Sequence, residues 1–149
     1  MSQTISIKKS SLRDIHILLE GLSLKGAVSR ARTKLDQKIL DAFKEVGEEE
    51  RALIKEYDGT ILESGQVKFP IDKNEDGSNG AISSNKLAYE KADKELFEEP
   101  VIIPEHTEGQ FERLLNSLND YDQELSGTSA QAYDTLLDAL EALNMSEGE

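Results

Sequence analysis

Apolar residues along this chain recur at two periods, and the switch between them predicts most of its elements. Thr4 to Lys8 alternates, with Ile5 and Ile7 on one side and Ser6 and Lys8 on the other, as a half-buried strand does. The period then lengthens. Ser11 followed by Asp14 resembles a capping box and opens a first helix, whose apolar face is Leu12, Ile15, Leu18, Leu19 and Leu22. Gly21 to Gly26 breaks it. Val28, Ala31, Leu35, Ile39, Ala42, Phe43 and Val46 then recur at spacings of three and four, and Leu53, Ile54 and Tyr57 prolong the stripe into one long helix. Gly47, worth about 1 kcal/mol less than Ala in a helix, interrupts the stripe; one continuous helix is the favoured reading, and the sequence leaves open whether Gly47 is a kink or a break.

From Asp58 to Ser83 the helical period is lost. Asp58-Gly59 is a turn signal. Thr60–Leu62 and Gln66–Ile71 read as two short strands around Glu63-Ser64-Gly65, and Asp72–Asn79 reads as a polar loop. A third helix is predicted over Ser84–Phe97. Pro100 and Pro104 bracket Val101-Ile102-Ile103, an edge strand suited to pair with Thr4–Lys8. A fourth helix is predicted over Thr107–Leu125, ended by Ser126-Gly127. A fifth runs from Ser129 to about Asn144, capped by Thr128. The leucines of these last two helices are read as a core between packed helices, with a dimer interface as the alternative. The expectation is a mainly α fold with a small β element: a long helical hairpin interrupted by a β-hairpin, plus two C-terminal helices. One domain is expected over residues 1–145, with 59–83 as the hairpin and loop excursion and 146–149 as a disordered tail.

Length, charge and composition narrow the function. A chain of 149 residues is the size of one ordinary domain. It has no cysteine, which excludes disulfides, thiolate metal sites and a cysteine nucleophile. No apolar run approaches the roughly 18 residues that span a bilayer, and Met1 to Lys9 lacks the apolar stretch of a signal peptide, so a cytoplasmic setting is expected. The net charge is −13, unevenly placed. Residues 1–40 carry eight Lys or Arg against three acids, and residues 41–149 carry nine against twenty-seven. Such a chain repels nucleic acid as a whole, yet its basic end suits an acidic surface on a protein partner or on another copy of itself.

Few motifs carry chemistry. Asp72, Asn74 and Asp76, followed by Gly77, open like a calcium loop, but Ser83 stands where a bidentate carboxylate belongs and Asn79 where an apolar residue belongs. A turn rich in Asp, Asn and Gly explains the same letters. Calcium is therefore a weak expectation, and no other cofactor is expected. Arg30, Arg32 and Lys34 form a basic cluster near the start of the long helix, with Arg30 and Lys34 on one side of it. They are the candidate partner-binding residues, for an anionic ligand or an acidic protein patch. The competing reading pairs them with acids of the other helices. His16 and His106 lack the neighbours of a triad or metal site and read as ordinary polar residues. No catalytic residue is assigned, and the protein is not expected to be an enzyme.

The succession Leu24-Lys25-Gly26, Ser29-Arg30-Ala31-Arg32-Thr33-Lys34, Leu53-Ile54-Lys55-Glu56-Tyr57 and Glu98-Glu99-Pro100-Val101-Ile102-Ile103 resembles a family of small phage and prophage proteins of unknown function from low-GC Gram-positive hosts, lactobacilli especially. The resemblance covers about residues 4–103, and Gly59–Ser83 is longer here than the family's pattern. It implies a bacteriophage source and action in the host-cell cytoplasm, and it is compatible with a helical hairpin tipped by a β-hairpin, as in prefoldin-type subunits. It transfers no activity. The function expected is that of a non-catalytic accessory protein that binds and modulates another protein, such as a host or defence factor. The alternatives are a virion or tail-assembly protein and a weak calcium binder.

Overall fold

The computed structural model describes residues 3–147, with side chains through residue 143. Among the described residues the order is β1 (Thr4–Lys8), a 3-10 turn (Lys9–Ser11), α1 (Leu12–Gly21), α2 (Gly26–Glu56), β2 (Thr60–Ile61), β3 (Val67–Lys68), α3 (Ser84–Glu98), β4 (Pro100–Pro104), α4 (Gln110–Asn119) and α5 (Gly127–Glu147). The fold is mainly α, with a long helix followed by a β-hairpin and C-terminal helices. The chain divides into two compact units, residues 1–44 with 100–149, and residues 45–99. Helix α2 contributes to both and runs unbroken through Gly47.

The first unit has the larger core. Strands β1 and β4 pair antiparallel, with Ile5 opposite Ile103 and Ile7 opposite Val101. Period-two alternation turns Ile5, Ile7 and Ile103 inward and leaves Ile102 exposed. Leu12, Ile15, Leu18, Leu19 and Leu22 of the α1 segment are buried, as are Ala31, Leu35 and Ile39 of α2 and Leu114, Leu115, Leu118, Leu136 and Leu140 of α4 and α5. The C-terminal leucines are thus core between helices of one chain. The Tyr133 hydroxyl donates to the Leu118 carbonyl, tying α5 to the end of α4.

Helix α4 is shorter than its apolar pattern predicts. It starts after Gly109, whose φ of 85° suits glycine and which has no side chain with which to cap. It stops at Asn119, so Tyr121 and Leu125 lie half-buried in the segment before α5 rather than on its face. The capping role falls to Glu105. This buried carboxylate accepts from the backbone N–H of Phe111 (2.9 Å) and, across the strand ends, from that of Gln3 (2.9 Å). At the other end of the chain, α5 continues to Glu147. Residues 146 and 147 of the expected tail are therefore helical, and 148–149 lie outside the described residues.

The second unit has a sparse core. Val46, Ile54 and Leu96 are its buried apolar residues among those described. Hairpin β2–β3 pairs Thr60 with Lys68 and Ile61 with Val67, fewer residues than Thr60–Leu62 and Gln66–Ile71 predict. It folds back closely on the end of α2: a Cβ added at Gly59 would stand 2.7 Å from side-chain atoms of both Ile54 and Phe69. The ring of Phe69 meets that of Tyr89 with centroids 5.1 Å apart, and Asn85 Nδ2 donates to the Tyr57 carbonyl (2.8 Å), which holds α3 to the turn after α2. Ser83 caps α3, accepting from the Lys86 N–H.

Candidate functional site

The predicted basic cluster divides by function. The guanidinium of Arg32 donates through Nη1 to the carbonyls of Leu19 (2.9 Å) and Leu22 (2.6 Å), and through Nη2 to Ser29 Oγ (2.9 Å). Those carbonyls belong to the C-terminal turn of α1, where backbone acceptors are left over and a cation is favoured. Arg32 is therefore a brace between α1 and α2. His16 adds a second tie between the same helices through Nδ1 to Asp36 Oδ1 (2.8 Å).

Arg30 and Lys34 go elsewhere. One helical turn apart on α2, they border a hollow of about 230 Å³ whose other side is formed by His106, Thr107, Gln110 and Arg113, from the loop before α4 and its first turn. Among the described residues neither Arg30 nor Lys34 has an ion-pair partner. Gln110 is buried and fixed from both ends, its Nε2 donating to the Ala31 carbonyl (2.8 Å) and its Oε1 accepting from the His106 N–H (2.5 Å). It fastens the α4 side of the hollow to the α2 side. Sequence reasoning found Arg30 and Lys34 but missed Arg113 and His106, which lie more than seventy residues away and carry no local motif.

The predicted calcium loop is held by its own hydrogen bonds. Asp72 accepts from the Ser84 N–H (3.1 Å) and hydroxyl, Asp76 from the Ser78 N–H (2.9 Å) and hydroxyl (2.6 Å), and Asn74 Nδ2 donates to Ser78 Oγ (3.1 Å). These bonds to the charged forms hold both carboxyls below the usual Asp range. The three side chains act as turn braces, and Gly77, at φ 85°, completes the turn. Among the described residues no group of three or more His, Cys, Asp or Glu side chains is placed to hold a metal ion.

Two further features lie within residues 45–99. Glu50 on α2 and Asp93 on α3 form a carboxyl pair beside Tyr89. Partial burial, a hydrogen bond to Asp93 and the repulsion of its charge push Glu50 up to about 7, and the same surroundings push Tyr89 up to about 12. Among the described residues, Asp93 Oδ1 is the buried side-chain atom left without a hydrogen-bond partner. A proton retained on Glu50 gives Asp93 a donor. The second feature is apolar exposure. Ile61, Leu62, Val67, Ile71, Ile82 and Leu87 are all exposed, twice as many large apolar side chains as this unit buries. Ile61 and Val67 are directly paired across the hairpin and so share one face. An open groove of about 620 Å³ runs beside Ile61, floored by Ile54 and Ala52 and edged by Glu48, Arg51 and Lys55.

No helix among the described residues is long and apolar enough to cross a membrane. No family model, curated protein or solved structure matches this chain.

Proposed function

We propose that this protein is a non-catalytic binding protein that docks on another protein through residues 45–99 and thereby modulates it. The observation that carries the reading is the apolar surface of that unit. Six large apolar side chains stand exposed in a segment of fifty-five residues, with Ile61 and Val67 paired on one face of the hairpin and Ile61 lining an open groove. Surfaces of this kind mark association sites in proteins that otherwise keep apolar patches small. The charge around it selects the partner. Residues 45–99 as a whole carry fifteen Asp or Glu against seven Lys or Arg, which attracts an apolar segment flanked by Lys or Arg, while the groove itself is edged by Glu48, Arg51 and Lys55. The same unit of a second copy repels it. On the sequence resemblance alone, the setting is a bacterial cell infected by a phage, and the partner a host enzyme or defence factor.

A photo-crosslinking residue at Ile61 or Val67, with mass spectrometry of the adducts, tests this. Adducts on one protein, at an apolar segment bordered by Lys or Arg and lost in an Ile61→Asp, Val67→Asp variant of unchanged circular dichroism, support the reading. Adducts only on other copies of the chain overturn it in favour of a homo-oligomer. Adducts unaffected by the double variant show that the apolar face is not the dock. Adducts on phage head or tail proteins would make the chain an assembly factor that uses the same surface.

A further inference from the structure

The hollow between the start of α2 and the start of α4 is an independent feature, in the other unit, and the docking reading does not use it. Arg30, Lys34 and Arg113 bring three cationic side chains to its lining, His106 and Thr107 add polar groups, and no acid is among the lining residues. A cluster of cations without a counter-charge is electrostatically unfavourable. In a chain of net charge −13 with thirty acids, pairing would be easy to arrange, yet Arg30 and Lys34 have no acid within ion-pair distance among the described residues. Glu105, which directly precedes His106, is already engaged by the amides of Gln3 and Phe111.

We propose that this hollow is a binding site for a phosphoryl group. Size and charge select that class. The volume of about 230 Å³ falls below the roughly 300–1,000 Å³ of pockets that enclose whole drug-sized ligands, so it suits one anionic group rather than an entire molecule. Two guanidinium forks and an ammonium carry three positive charges, closer to the roughly −1.5 to −2 of a phosphate monoester at neutral pH than to the single charge of a carboxylate. Thr107 is prepositioned, its Oγ1 accepting from Arg113 Nη2 at 3.5 Å, which leaves its own hydroxyl proton for a ligand oxygen. Gln110, buried and bonded to the Ala31 carbonyl and the His106 N–H, ties the two walls together.

The test is a titration of the whole chain, followed by 1H–15N spectra at constant ionic strength, with inorganic phosphate and, in parallel, acetate. Expected are saturable shifts of the amides of Ala27, Thr107 and Gln110 with phosphate, and at least tenfold weaker effects with acetate. Arg30→Ala and Arg113→Ala should each weaken phosphate binding by about 10-fold or more, the worth of a charge-assisted hydrogen bond, with circular dichroism unchanged. Lys44→Ala, outside the lining, should leave it intact. Equal response to acetate, or equal binding by the Arg30→Ala and Lys44→Ala variants, overturns the proposal in favour of unspecific attraction to a basic surface. Absence of any shift at millimolar phosphate overturns it outright. Nucleoside monophosphate and phosphoserine peptide arms then separate the source of the group: the tighter of the two, relative to inorganic phosphate, identifies a nucleotide or a modified protein as the donor.

Discussion

Replacing Glu50 by Gln should change how the stability of residues 45–99 depends on pH. Glu50 sits at about 7 in the folded chain against 4.5 for the free side chain, chiefly through burial and then through Asp93. Between these two values the folded chain holds a proton that the unfolded chain has released. Stability therefore falls as pH rises from about 4.5 to about 7 and is level above that. At about 1.4 kcal/mol per pH unit, such a displacement would amount to about 3 kcal/mol for a fully enclosed group. Glu50 is only partly buried, and screening by water reduces the expected part to about 1–2 kcal/mol. The Gln amide keeps a donor for Asp93 and does not titrate. Glu50→Gln should thus flatten the profile between pH 5 and 7 and raise stability at pH 8 by about 1 kcal/mol. The carboxyls of Asp72 and Asp76, held low by Ser84 and Ser78, act with the opposite sign and only at the acid end, below their usual value of 3.8, so the windows do not overlap. The assay is urea unfolding at pH 5, 6, 7 and 8, read from the 1H–15N peaks of residues 45–99 so that the unit reports on itself. Parallel profiles for wild type and Glu50→Gln would refute the reasoning and show that the two carboxyls do not share a proton.

Four other substitutions test the fold. Gly47→Ala should stabilise the chain by about 0.5–1 kcal/mol in thermal unfolding, because the added methyl meets no atom within 4 Å and the helix there is continuous. Glu105→Ala should destabilise by about 3 kcal/mol in urea, since it leaves the amides of Gln3 and Phe111 without their shared acceptor. Arg32→Ala should cost about 2 kcal/mol through the lost bonds to Leu19 and Leu22, while Arg30→Ala, two positions away, should lie within about 0.5 kcal/mol of wild type in the same measurement.

The sequence by itself determined the elements whose cause is local. The spacing of Leu12, Ile15, Leu18 and Leu19 makes α1, that of Ala31, Leu35, Ile39, Ala42 and Val46 makes most of α2, and the alternation around Ile5 and Ile7 makes β1, because burying one face demands those periods whatever the partner. Continuity through Gly47 was decided only by the structure, in which α2 runs from Gly26 to Glu56 because the packing on either side sustains the helix more than one glycine weakens it. What the tertiary structure alone decided depends on groups distant in the chain. The start of α4 follows from Gly109 and from a capping carboxylate at Glu105, which lies outside the usual capping position. The division of the basic cluster, with Arg32 inward to α1 while Arg30 and Lys34 face Arg113 and His106, depends on where the carbonyls of Leu19 and Leu22 stand and where Gln110 anchors α4. The Glu50–Asp93 pair joins two helices separated by a hairpin and a loop. Periodicity says which face of a helix is buried, but only packing says which charges on the other face end up together.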